Sequence, residues 1–169
     1  SECNCSHFEA YGCSSSDSQM KKHCLSIDPG FATLVWTVTT IEGDFVDCGV
    51  LFTKKESAKR NLASVEDNLQ RLGEVYDTLF ALTKIYNFSY ICAESMSFPR
   101  NSSAAAKVAM TWGVILSLSK SLDCPIVQIS PKKVKKHLTN TETATKEEVE
   151  VAVQKRFSLM EKILESKKI

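Results

Sequence analysis

Two carboxylates stand inside runs of residues that are otherwise built to be buried. Asp28 interrupts CLSIDPGFATLVWTVTT, residues 24–40, and Glu94 closes the apolar stretch YICAES. Burying either charge alone costs several kcal/mol, so each requires a cation, a hydrogen-bonding partner or a shifted pKa. Two carboxylates brought to one place suit a hard divalent cation such as Mg²⁺ or Mn²⁺. The alternative, open at this point, is that each accepts hydrogen bonds from a nearby helix N-terminus. Lys132, Lys133, Lys135 and Lys136 lie together in PKKVKKHL, and Lys146 follows in TATKEE. Such lysines either neutralise phosphate or are ordinary solvated helix charges.

The cysteines offer less. Cys24, Cys48, Cys92 and Cys124 sit in or beside apolar runs, where a free thiol packs as a small hydrophobe. Cys3, Cys5 and Cys13 lie in a Ser-rich polar leader with His7 nearby, but their spacing forms no paired Cys-x-x-Cys zinc pattern. The leader, residues 1–21, is expected to be partly disordered and to bind no metal.

The elements that must position these groups are legible from periodicity. HCLSID, FATLVWTVTTI and DFVDCGVLFT are β-branched and aromatic runs, the last two joined through Gly43, and they read as an antiparallel meander. Leu62, Val65, Leu69, Leu72, Val75, Tyr76, Leu79 and Leu82 recur at steps of three and four and place an apolar stripe along one long helix of about six turns. A buried strand, FSYICAES, is followed by a helix rich in small residues that opens on an Asn-Ser cap at Asn101. CPIVQIS then reads as a strand, PKKVKKHL as a basic helix with proline in its first turn, and the remainder as a helix capped by Thr143 or Thr145. The order β-β-β-α-β-α-β-α-α implies an α/β fold with a mixed five-stranded sheet, three antiparallel strands continued by parallel ones, flanked by helices. In such a sheet the first and fourth strands are neighbours, so Asp28 and Glu94 meet at one sheet end.

With 169 residues and 43% apolar composition, the chain suits one domain with a sizeable core. Twenty-one Lys and Arg balance twenty Asp and Glu, so polyanion binding has to come from local clustering of charge. No stretch approaches the ~20 apolar residues of a membrane span, and the N-terminus does not have the pattern of a signal peptide. The expectation is an intracellular protein.

LSIDPGFATLVWTV, NLQRLGEVYDTLFALTKIYNFSYICAES, the long stretch from NSSAAAKVAM to PKKVKKHL, and TATKEEVEVAV together resemble, in order and spacing, the RuvC family of Holliday junction resolvases, over about residues 23 to 155. The features that carry the resemblance are the IDPG turn, Arg71-Leu72, Glu94, Asn101 seven residues later, Trp112-Gly113-Val114-Ile115, and Lys146 eleven residues after Lys135. What the resemblance implies is an RNase H-like nuclease, a homodimer acting on four-way DNA junctions, with two divalent metal ions and no small-molecule cofactor. Asp28 and Glu94 fall on the first two family carboxylates. Lys135 falls on a DNA-contacting lysine and Lys146 on one beside the scissile group. Asn101 matches a family asparagine, and Arg100 and Lys132, Lys133 and Lys136 are further phosphate contacts or surface charges. The family's wedge aromatic position holds Ser97, with Phe98 next to it as a base-stacking ring or a core-facing one.

The resemblance also has gaps. The turn before the second lysine, TNTETATK, contains no glycine. Counting about twenty residues on from Lys146, where the family completes its site with further acidic residues on a last helix, reaches Ser166 to Ile169. The domain read over residues 22–169 is therefore expected to lack that acidic helix, either because the sequence stops short of it or because the complete metal site has been given up. Glu161 and Glu165, four apart, either substitute on a shared helix face or read as solvated charges of an amphipathic helix. The rivals are a branched-DNA-binding subunit that does not cut, and an RNase H-fold nuclease for another substrate such as RNA in a hybrid. An actin-like phosphotransferase ranks behind both.

Overall fold

The computed structural model describes residues 23–54, 64–95 and 101–157. Strands β1 (His23–Asp28), β2 (Thr33–Thr40), β3 (Phe45–Phe52), β4 (Phe88–Glu94) and β5 (Ile126–Ile129) form a single sheet in the order β3-β2-β1-β4-β5. The pairs β1–β2 and β2–β3 are antiparallel, and β1–β4 and β4–β5 are parallel. This is the mixed sheet expected from the element order. Helices α1 (Ser64–Ile85), α2 (Ser102–Ser121), α3 (Pro131–Thr139) and α4 (Lys146–Arg156) complete the described chain.

Alternation along the strands sorts residues to the two faces. Leu25 and Ile27 of β1, Leu34 and Val38 of β2 and Ile91 of β4 turn to one face, where Val75, Leu79 and Leu82 of α1 and Ile115 and Leu118 of α2 close the core over them. Cys24, Ser26 and Asp28 alternate to the opposite face. The β2–β3 turn uses Gly43 at φ +98°, a backbone conformation that glycine adopts without a Cβ clash.

The helix boundaries follow local capping chemistry. Asn101 accepts from the backbone N–H of Ser103 and Ala104 at the start of α2. Ser130 caps α3 with Pro131 at its first position, where proline's missing N–H has no intrahelical partner in any case. Thr145 and Glu148 form a reciprocal capping box on α4, which chooses Thr145 over Thr143.

Two expectations need correction. The buried face of α1 is not the whole predicted stripe: Val65, Leu69 and Tyr76 are 66%, 65% and 42% exposed. The helix buries Val75, Leu79 and Leu82 from that stripe together with the ion pair Asp67–Arg71, so the buried face is turned to one side of the stripe. Leu62 lies outside the described residues. The second correction concerns Asp28 and Glu94, which are exposed rather than buried, because each is the last residue of its strand and opens into a cleft.

Candidate active site

β1 and β4 run side by side in the same direction, with Ser26 opposite Cys92 and Ile27 opposite Ala93. The next residue on each strand is the terminal carboxylate, so the ladder itself delivers Asp28 and Glu94 to the same sheet end. The carboxylates are close enough that the charge on Asp28 helps hold Glu94 above the ordinary carboxylate range. The larger cause is the wall of the cleft, which shields the Glu94 carboxyl from water even though much of the residue is exposed. Like charges held together in this way favour either a shared proton or a shared cation.

Beyond Asp28 the chain reverses at once. The Gly30 N–H donates to the Asp28 carbonyl at 3.0 Å. A Cβ at Gly30 would collide with the Thr33 carbonyl oxygen, so this turn needs glycine for close backbone packing.

The two carboxylates open into a cleft of about 540 Å³ floored by Ser26, Cys92 and the strand ends and walled by Val134, Lys135, Lys146 and Val149. Sequence positions 28, 94, 135 and 146 thus come together from four elements. Lys146 is the first residue of α4. Lys135 reaches from α3 and donates from Nζ to the Ala144 carbonyl at 2.7 Å, joining α3 to the segment that leads into α4.

The other predicted residues are placed differently. Lys132, Lys133 and Lys136 are exposed on α3 and do not line the cleft, and Lys136 pairs with Glu142 at 3.5 Å. Asn101 spends its side-chain oxygen on the α2 cap. Phe98, Arg100, Glu161, Glu165 and the leader residues Cys3, Cys5, His7 and Cys13 lie outside the described residues.

Sequence reasoning missed what surrounds the carboxylates. Cys92 lines the cleft rather than the core, and its thiol hydrogen bonds with that of Cys24. That contact draws the Cys24 thiol down, against the effect of its burial, and pushes the Cys92 thiol up. The strand alternation that puts residues 24, 26 and 28 on one face was the available signal. Arg71, Phe31 and Thr53 were also missed as a group, since nothing in their spacing announces that they touch.

The donor set fits a hard divalent cation: two carboxylate oxygen donors at one sheet end, with no imidazole lining the cleft beside them among the described residues. Mg²⁺ is commonly held by one or two carboxylates, with water and substrate phosphate filling the remaining positions. Among the described residues no group of three or more His, Cys, Asp or Glu side chains converges anywhere. None of the described helices is long and apolar enough to cross a membrane.

A family model described as crossover junction endodeoxyribonuclease RuvC matches residues 24–167. The RuvC of Pseudothermotoga lettingae is 28% identical over 138 residues, covering 80% of this chain and 80% of that protein. The RuvC of Thermosipho melanesiensis is also 28% identical over 138 residues, covering 80% and 82%. Among solved structures, T. thermophilus RuvC in complex with Holliday junction substrate superposes with a TM-score of 0.68 at 22% identity, over 81% of this chain and 80% of that one. A separate Thermus thermophilus RuvC structure gives 0.63 at 23% identity, over 78% of each chain. The chain belongs to the RuvC family of crossover junction endodeoxyribonucleases.

Proposed function

We propose that the protein is a structure-selective endonuclease that resolves four-way DNA junctions by metal-dependent phosphodiester hydrolysis, working as a homodimer. The observation that carries this reading is the meeting of Asp28 and Glu94 at adjacent strand ends, in one cleft with Lys135 and Lys146.

Asp28 and Glu94 would hold Mg²⁺ or Mn²⁺. Bound there, such ions would supply an activated water and charge stabilisation for the leaving oxygen. The protein's own side chains do the rest. Lys146, fixed at the first turn of α4 by the Thr145–Glu148 capping box, places a cation beside the phosphate being cut. Lys135 adds positive charge to the same wall while its hydrogen bond to Ala144 sets where α4 begins. Lys132 and Lys136, exposed on the outer side of α3, give phosphate contacts that position the strand without reading its sequence. Phe98 and Arg100, between Glu94 and α2, belong to the same DNA contact, with Phe98 stacking on a base and Arg100 pairing with phosphate. Asn101 contributes through the α2 N-terminus that it caps.

A four-way junction offers two equivalent strands, which a twofold-symmetric dimer matches. The exposed face of α2 carries Ala106, Ala109, Met110, Gly113 and Leu116, small and apolar residues suited to packing against a second copy. The test is cleavage of a labelled junction in Mg²⁺, in Mn²⁺ and in EDTA, beside linear duplex and RNA–DNA hybrid. Metal-dependent cutting confined to the junction supports the reading. Tight junction binding without any cutting would leave a DNA-binding dimer instead, and preference for the hybrid would reassign the substrate.

A further inference from the structure

Arg71 is a charged residue in a place where the fold has no need of charge. Its side chain is 8% exposed on the core-facing side of α1, directly before Val75 and Leu79. A buried guanidinium is seldom more stabilising than an apolar side chain of similar volume, so stability alone does not account for it. Its contacts do. One nitrogen of the guanidinium lies 3.6 Å from Asp67, a turn earlier. Nε donates to Thr53 Oγ1 at 3.0 Å, and the guanidinium carbon stands 4.3 Å from the centre of the Phe31 ring. Lys107 Nζ, from α2, lies 5.6 Å from the same ring.

These contacts converge on the segment that follows Asp28. Thr53 Oγ1, while accepting from Arg71, donates to the Phe31 carbonyl at 2.7 Å, and the Thr53 N–H donates to the Ala32 carbonyl at 3.0 Å. Phe31 itself is 6% exposed. The turn is therefore tied at both ends, by the β1 ladder before Asp28 and by α1, α2 and the end of β3 immediately after Gly30.

We propose that Arg71, with Phe31, Thr53 and Lys107, is a positioning clamp that fixes the Asp28–Gly30 turn so that the Asp28 carboxylate is presented beside Glu94 in a cation-ready geometry. This rests on the reading of Asp28 as a metal ligand. Partners that hydrogen bond directly to a metal ligand govern metal affinity by about 10- to 100-fold, and Arg71, which acts on Asp28 only through Phe31 and Thr53, is expected at the lower end of that range.

The experiment compares the wild type with Arg71→Met, Arg71→Lys and Phe31→Leu in two readouts. The first is residue-resolved amide exchange, which needs neither metal nor DNA. The clamp predicts that exchange at Gly30 and Thr53 rises about tenfold or more in Arg71→Met, with Leu25 and Ile91 in the same sheet unchanged. The second is Mn²⁺ affinity, followed by the electron paramagnetic resonance signal of the free ion. It should fall about tenfold in Arg71→Met and less in Arg71→Lys, which keeps a cation against Phe31 and Asp67. Should Arg71→Met fail to fold, Phe31→Leu carries the same comparison. Unchanged exchange at Gly30 and Thr53 in a folded variant overturns the clamp. So does unchanged Mn²⁺ affinity despite faster exchange there. A wild type that binds no Mn²⁺ defeats the metal-ligand reading and the clamp's proposed purpose together, and faster exchange would then mark only a structural tie.

Discussion

Lys135 and Ala144 are joined by a 2.7 Å hydrogen bond from the ammonium Nζ to a backbone carbonyl. Ala144 is itself buried, so the bond anchors α3 to the turn that launches α4 and sets Lys146 at the mouth of the cleft. A lysine that faces DNA phosphate in the functional reading is thus also a brace within the chain.

The contrast between two neighbouring lysines tests that brace. A hydrogen bond with a charged donor is worth about 1.5 to 3 kcal/mol. Lys135→Met should therefore lower the melting temperature by several degrees, on the order of 2–4 °C per kcal/mol for a chain of this size. Lys136→Met removes an ion pair whose side chains are 66% and 51% exposed, which is worth ~0–1 kcal/mol and should barely move it. Thermal unfolding followed by circular dichroism distinguishes the two. Both variants should weaken junction binding and reduce its dependence on salt.

Glu94 makes a prediction about pH. Its folded-state pKa is raised by shielding in the cleft and by the charge of Asp28. A raised pKa means that the protonated form is favoured in the fold. The associated stability is fully present below the ordinary carboxylate value of 4.5 and is lost as pH rises through the raised one. The metal-free protein should therefore lose stability across that window, and Glu94→Gln should remove this part of the slope. Mn²⁺ should raise the melting temperature more at pH 7 than at pH 4.5, since only the ionised pair holds it. An equal rise at both pH values would argue against the carboxylate pair as the metal site.

Gly30 and Gly113 separate close packing from open space. A Cβ at Gly30 collides with the Thr33 backbone, whereas one at Gly113 meets nothing within 4 Å. Gly30→Ala should cost about 1–3 kcal/mol in denaturant unfolding and reduce cleavage as the turn shifts. Gly113→Ala should be neutral or stabilising by up to about 1 kcal/mol in the isolated chain, because alanine is the better helix former.

The face of α2 gives a prediction about assembly. Met110 and Leu116 are 41% and 51% exposed, so introducing charge there costs the fold little. Met110→Glu with Leu116→Glu should convert a dimer to a folded monomer in light scattering, with the far-ultraviolet spectrum unchanged. A dimer that survives both substitutions would place the contact elsewhere.

Strand order and the meeting of Asp28 with Glu94 were legible because period-two patterning and βαβ connectivity leave few ways to arrange five strands. Helix starts were legible for a similar reason: Asn101, Pro131 and Thr145 solve a local hydrogen-bonding problem with local residues. The orientation of α1 was not. Apolar residues occupy well over half of its circumference, so periodicity names a helix without saying which side packs, and the side that packs begins with Asp67 and Arg71. The clamp on Phe31 was hidden for a different reason. It joins residues 31, 53, 71 and 107, which only the tertiary fold makes neighbours. Burial of the carboxylates was misjudged because an apolar run tells how a strand packs along its length, not how its last residue is covered.

The most direct test of the central claim is single-turnover cleavage of an end-labelled four-way junction by wild type and Asp28→Asn in Mg²⁺. The account predicts paired, symmetry-related nicks from the wild type, none in EDTA, and loss of cutting in Asp28→Asn with junction binding largely retained. Nicking by Asp28→Asn at the wild-type rate would contradict it, because the carboxylate at the end of β1 would then have no part in the chemistry.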